Sequence, residues 1–182
     1  MTVATTSWLV VAGCGAAHQR NDVSQAVAGN DVVYVPDLTA GIIDQPRRNA
    51  STATLVATRT GVHDGFDRIV FEFDEHVPGY HIEYIDRPVR KCGSGDVTQV
   101  AGDGWLEVRM SPAKAHTDEG RPTLTVREHT LNLAVLSELE MTCDFEGIVT
   151  WVAGVASPNR YQVRELDNPP RLVVDILTRA PR

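Results

Sequence analysis

The sequence is short of cysteine, of positive charge and of long apolar runs, and each shortage excludes something. No apolar stretch approaches the roughly 20 residues that cross a bilayer as a helix, so no transmembrane helix is predicted. Lys and Arg number 17 against 24 Asp and Glu, a formal net charge of −7. That balance argues against nucleic acid as a partner, because phosphate binding needs clustered Lys and Arg. It also argues against electrostatic adhesion to an anionic membrane, although a covalent lipid would need no such patch. Helical periodicity is missing as well, apart from a short piece near residues 131–136. At 182 residues the chain reads as one domain plus appendages, large enough to bury a core without staples.

What is present is strand pattern. From Ala53 onward eight runs read as strands, most of them alternating at period two: 53–58, 66–74, 80–85, 105–110, 134–143, 147–155, 160–165 and 171–177. In the second run Ile69, Phe71 and Phe73 oppose Arg68, Val70 and Glu72. In the fifth, Val135, Leu139, Met141 and Cys143 oppose Glu138, Glu140 and Thr142, which puts Cys143 on the inward row. Turn signals such as His63-Asp64-Gly65, Val77-Pro78-Gly79 and Gly102-Asp103-Gly104 separate the runs. Short strands at this spacing predict an all-β fold, a sandwich or barrel. "DRIVFEFD" at 67–74 and "PRLVVDIL" at 170–177 also echo one another, Arg68 with Arg171 and Glu72 with Asp175. Such residues also suit cross-strand ion pairs.

The first residues end in Val11-Ala12-Gly13-Cys14, which resembles the lipobox of bacterial lipoprotein signals. In such proteins the thiol is diacylated before cleavage, so the resemblance implies lipid attachment at Cys14. The leader "MTVATTS" carries no Lys or Arg, and the apolar run before Cys14 is short for a signal, which points to a start upstream of Met1. Alternatively, residues 6–12 are a buried strand ended by Gly13 and Gly15. Residues 15–52 have no sustained periodicity, and 15–50 are rich in Ala, Gly, Asn, Asp and Gln, a composition expected to stay flexible. As a coil the 15–50 stretch would span about 33 Å. Within it Asp31-Val32-Val33-Tyr34-Val35 suits a short strand or a peptide docked on the body.

"DGFDRIVFEF", the "HTLNLAVLSE" region and "PPRLVVDI" resemble the signature strands of the AMIN fold, first described in cell-wall amidases. The similarity extends over about residues 53–178 and is nearest to the AMIN-like domain of actinobacterial lipoproteins and exported proteins. It implies a small β-sandwich that localises or binds at the cell envelope, often to peptidoglycan. This body is longer than a typical AMIN module and no amidase domain follows it in the sequence, so peptidoglycan binding rests on analogy rather than on a matched site.

If the protein is exported, Cys92 and Cys143 most simply form a disulfide. The competing reading makes Cys92 a reactive thiol, its thiolate favoured by Arg90 and Lys91. His81-Ile82-Glu83 places two potential metal ligands on one strand face, and His116, Asp118 and Glu119 cluster in a loop. Neither has structural zinc spacing, and no metal or cofactor is expected. Ser94 lies in a Gly-rich turn without the strand-turn-helix setting of a nucleophile elbow. Among the large rings Trp105, Tyr80 and Trp151 are the candidate ligand-binding residues, since an exposed ring stacks on sugar faces. Trp105 shares a strand side with Glu107 and Arg109.

Together these readings predict a signal-like segment at 1–14, a tether at 15–52 and a β-sandwich at 53–178. The expected function is that of a non-catalytic domain, lipid-anchored on the outer face of the bacterial cytoplasmic membrane. It would bind cell-wall material or an envelope partner. Two alternatives remain: an exported hydrolase of wall glycan or peptide with a site dispersed over loops, and a structural module engaged through a strand edge.

Overall fold

A computed structural model describes Met1 and residues 38–178. Cys14, the rest of the lipobox-like segment and residues 15–37 of the expected tether lie outside the described residues, as does the strand-like stretch 31–35. The strands are β1 (Ile43–Gln45), β2 (Ala53–His63), β3 (Phe66–Phe73), β4 (Gly79–Ile85), β5 (Gly104–Ser111), β6 (Ala113–Lys114), β7 (Glu128–Thr130), β8 (Leu136–Phe145), β9 (Ile148–Val155), β10 (Tyr161–Leu166) and β11 (Arg171–Leu177). They form a sandwich of two sheets, in the orders β1-β4-β5-β9-β8-β7 and β10-β11-β3-β2-β6. The described residues contain no helix. The eight runs expected from alternation correspond to all the strands except β1, β6 and β7. Those three have two or three residues each, too few to show a period.

Period-two alternation puts one row of each strand between the sheets. Ile69, Phe71, Phe73, Leu172 and Val174 from one sheet meet Leu106, Val108, Leu139 and Trp151 from the other in a single buried core. Burying a side chain of this size contributes about 1.5–3 kcal/mol. The helical expectation at 131–136 fails for a specific reason. The Asp67 carboxylate, fully buried, accepts N–H bonds from Val135 (2.5 Å) and Leu136 (3.0 Å) and draws the chain directly into β8.

The described part of the expected tether packs on the sandwich. Thr39 exchanges both backbone hydrogen bonds with Tyr161, at 2.9 and 2.7 Å, and β1 pairs antiparallel with β4. The Tyr161 hydroxyl shares its one proton between the carbonyls of Gly41 and Ile82, both within hydrogen-bond distance. Residues 39–45 thus strap the two sheets together, and the body begins ahead of Ala53.

The outer face of the six-stranded sheet is covered over half its width. Alternation alone would leave β9 wet on one side, yet Val149–Val155 is buried throughout. The segment 86–103 lies over that side. Its Val89 and Val100 close a second small core on Val152, flanked by Ile85 and Trp105. Glu138 and Glu140, which read as the polar face of β8, are buried under this segment and tie it down. Ala101 N–H donates to Glu138 (2.7 Å) and the Thr98 hydroxyl donates to Glu140 (2.9 Å). Gly154 permits the approach, since a Cβ there would stand 1.8 Å from the Ala101 carbonyl oxygen. Gly154→Ala is therefore expected to cost about 2–3 kcal/mol, at the upper range of overpacking. The Ala101 amide should lose its hydrogen-exchange protection; unchanged protection would mean the segment is not seated on Gly154.

The sequence echo acquires a physical meaning on the other sheet. β3 and β11 run antiparallel with Arg68 opposite Asp175 and Glu72 opposite Arg171. An Arg-to-acid spacing of four residues, repeated on antiparallel neighbours, faces each Arg with the other strand's acid. Arg68 grips Asp175 through Nε (2.6 Å) and Nη2 (2.9 Å), and Arg164 joins from β10. The second pair diverges, because Glu72 is held by Arg59 and Arg171 donates to the Pro169 carbonyl.

Candidate functional site

β5 runs through the interior of the six-stranded sheet and presents Trp105, Glu107, Arg109 and Ser111 outward, as alternation requires. Register places His81 beside Arg109 and Glu83 beside Glu107 on β4, with Thr150 and Val152 on β9. On the far side of β4, Asp44 of β1 faces His81. The result is a polar row across four strands: Asp44, His81, Arg109 and Thr150.

Two hollows open along this face. One, of about 430 Å³, lies between the 44–48 segment and the β4–β5 pair. The other, of about 500 Å³, is bounded by residues 90–95 and the β8–β9 pair. Glu107 and Arg109 line both, so the hollows adjoin at these two side chains and are taken together as a groove. Residues 90–95 of the covering segment form one wall, and Asp44, Pro46, Arg47 and Arg48, at the end of the strap and just past it, form the other.

His81 is clamped between carboxylates, its Nδ1 3.1 Å from Asp44 and its Nε2 3.2 Å from Glu83. Burial pulls its pKa down, but the hydrogen bonds and charges of Asp44 and Glu83 outweigh that and hold it above the usual 6.5. A raised folded pKa contributes stability that is complete below pH 6.5 and fades as pH rises through the folded value. Ring-proton NMR should find His81 titrating above 6.5, and Asp44→Asn with Glu83→Gln should bring it down. An unchanged midpoint in the double variant would refute the clamp.

Glu107 is less well served. It stands directly opposite Glu83, and like charges at facing positions are destabilising. Burial raises its pKa, Arg109 lowers it, Glu83 raises it further and His81 lowers it, with a net rise. Among the described residues neither Glu107 nor Arg109 has a hydrogen-bond or ion-pair partner.

The candidate rings do not meet at this groove. Trp151 is 0% exposed, on the inner row of β9 against Phe71, so it presents no face to a ligand. Tyr80 is 3% exposed on the inner row of β4, opposite Met110, and only borders the first hollow. Burial and the neighbouring Glu165 charge push its hydroxyl pKa up. Trp105 does lie on the outer side with Glu107 and Arg109. The Arg87 guanidinium sits 4.2 Å from its ring centroid and its indole N–H donates to the Val100 carbonyl, so it serves the covering segment. Burial thus withholds Tyr80 and Trp151 from a ligand, whereas Trp105 is half-buried with one face under Arg87.

Cys92 and Cys143 are disulfide-bonded, with Cα atoms 5.2 Å apart, and no thiolate remains at Cys92. Cys143 faces outward rather than inward. A β-bulge between Met141 and Cys143 inserts Thr142 and shifts the register, pairing Cys143 with Thr150 and flipping it toward the covering segment. The bond thereby pins the wall of the groove. Ser94 caps its own turn, accepting from the Asp96 N–H, in a loop where Gly93 and Gly95 take the positive φ values the turn needs. His116 pairs with Asp144, and Asp118 with Lys114. Among the described residues no group of three His, Cys, Asp or Glu side chains is placed to hold a metal ion. The groove was missed from the sequence because its floor, wall and strap come from separate segments; the unrecognised signal was the charge triplet of Glu83, Glu107 and Arg109 on adjacent strands.

A family model described as AMIN-like domain matches residues 53–178. No curated protein and no solved structure gives a significant match.

Proposed function

Since the chain belongs to the AMIN-like domain family, whose members are in general peptidoglycan-binding or envelope-interaction modules, we propose that it is a non-catalytic, lipid-anchored module that binds cell-wall material through the groove on its six-stranded sheet. The observation that carries this reading is the groove itself. It holds half-buried and exposed charges of both signs without partners, on strands whose flank is stiffened by a disulfide. Cys14 is the proposed lipid site, and residues 15–37 the proposed spacer between membrane and body. The extracytoplasmic setting suits both the family and the disulfide.

Pull-down with purified sacculi tests the binding. The protein, carrying Cys14→Ser to remove any anchor, should be retained well above a control of similar charge. Equal retention would sink wall binding. Mass spectrometry of the protein from the membrane fraction tests the anchor: a diacylated Cys14 is expected, and an unmodified N-terminus with a free Cys14 thiol would end the lipoprotein reading.

The facing carboxylates of Glu83 and Glu107 favour one second reading, a hydrolase of wall glycan. Release of soluble fragments from sacculi, abolished by Glu107→Gln, would establish it over pure binding.

A further inference from the structure

The chemistry of the groove specifies more than wall material in general. Its outward side chains are arranged in strips of charge. Glu83 and Glu107 face each other across β4 and β5, and Arg109 stands two residues along β5 from Glu107, on the same side. Two residues of strand rise about 6.8 Å. Glu83 spends its bonding on His81, which Asp44 already serves from the other side. Glu107 is left half-buried against a like charge, with no partner among the described residues. A carboxylate so placed gains from a cation that arrives from outside, because partial burial strengthens the attraction and bulk water screens it less. Arg109 offers the complementary need: an exposed guanidinium, without a partner among the described residues, suited to a carboxylate through paired N–H bonds. Arg48, just past the strap, adds a second exposed cation at the first hollow.

Sugar recognition would require something else. Rings that stack on pyranose faces are the usual platform. Here Tyr80 and Trp151 are buried and one face of the half-buried Trp105 is taken by Arg87.

Resting on the wall-binding reading above, we infer that the groove takes the zwitterionic end of a peptide, its ammonium seated between Glu83 and Glu107 and its carboxylate on Arg109. In wall chemistry this describes the free end of a diaminodicarboxylic residue in a stem peptide, where ammonium and carboxylate share one carbon. Glycan strands, neutral or bearing only anionic groups, do not meet the two carboxylates.

Calorimetry on the full chain carrying Cys14→Ser tests this with three synthetic probes, each N-acetylated at L-Ala so that the only ammonium is at the end of the third side chain. The first is N-acetyl-L-Ala-γ-D-Glu-meso-diaminopimelate. The second has L-Lys in the third place, which keeps the side-chain ammonium and loses the carboxylate beside it. The third has Nε-acetyl-Lys, whose side-chain end carries neither. Affinity should fall about fivefold from the first to the second and by at least about tenfold to the third. Glu107→Gln should weaken the first probe about tenfold. Arg109→Gln, at an exposed position where folding is not at risk, should make the first two probes bind alike. Equal binding of all three probes, or an Arg109→Gln variant that still prefers the first, would overturn the inference. Sacculus pull-down separates this from the parent reading. Retention on sacculi without binding of the first probe removes the zwitterion site and leaves wall binding. Probe binding without retention supports the site and removes wall binding. Failure of both removes both.

Discussion

Asp175→Asn lowers the unfolding free energy by about 3 kcal/mol. Asp175 is 0% exposed and meets four donors: Nε and Nη2 of Arg68, Nη2 of Arg164, and Nε2 of Gln162 at 3.2 Å. Removing its charge leaves two guanidiniums facing each other across the outer side of the five-stranded sheet. Breaking a buried ion pair by one partner typically costs about 3–5 kcal/mol. The lower end applies because both arginine side chains keep a wet edge, at 25% and 30% exposure. The acid limb of the stability curve should change too. Burial raises the Asp175 pKa, but hydrogen bonds from Arg68 and Gln162 and the charges of Arg164 and Arg68 outweigh it and hold it below 3.8. A depressed folded pKa contributes stability that is present above 3.8 and is lost as pH falls through the folded value. Urea denaturation across pH 2–7 should show the wild-type decline flattened in the variant. Arg164→Gln made first should shrink the Asn penalty, since one stranded cation is then gone. A loss below about 0.5 kcal/mol, typical of a plain surface change, would show that water already screens the cluster.

Removing the Cys92–Cys143 bond is expected to cost about 4 kcal/mol. The bond joins residues 51 apart, and the chain-entropy relation for a loop of that length gives this value. The structural consequence should be concentrated on segment 86–103. That segment keeps Val89 and Val100 on Val152 and its bonds to Glu138 and Glu140, so it loosens while the sandwich core persists. Cys92→Ser with Cys143→Ser should therefore melt cooperatively at lower temperature, and its 86–103 amides should exchange faster than those of β3 or β11. Wild-type protein treated with reductant should move the same way. A melting temperature unaffected by reductant would show that the bond does not constrain the unfolded chain. If the groove binds as proposed, sacculus retention should weaken in the double variant, because its wall at residues 90–95 is released.

Much of the sandwich was legible because alternation is a local property. Phe71 and Phe73 must share a side with Ile69 in any strand, and Arg68 and Glu72 must share the other. The three signature stretches resemble the AMIN family in their residues, and the family model matches the same span. The count of cysteines, together with an exported setting, pointed to one bond. The residues misplaced by alternation are those where a distant segment intervened. Cys143 reads as inward until a bulge at Thr142 turns it over. Glu138 and Glu140 read as solvated until segment 86–103 lies on them. Tyr80 and Trp151 carry no mark that separates a ring held in the core from a ring offered to a ligand, since both uses favour the same residue types.

The sequence by itself determined the eight longer strands, which side of most of them is apolar, and that β3 and β11 can exchange charges as antiparallel neighbours. These follow from the geometry of an extended chain, in which side chains alternate whatever lies beyond. Only the tertiary structure decided that Glu83, Glu107 and Arg109 lie side by side on one floor, that residues 39–45 strap the two sheets, and that half of the outer face is roofed by a cysteine-pinned segment. Strand order and register bring residues tens of positions apart into contact, and neither is encoded in any local period.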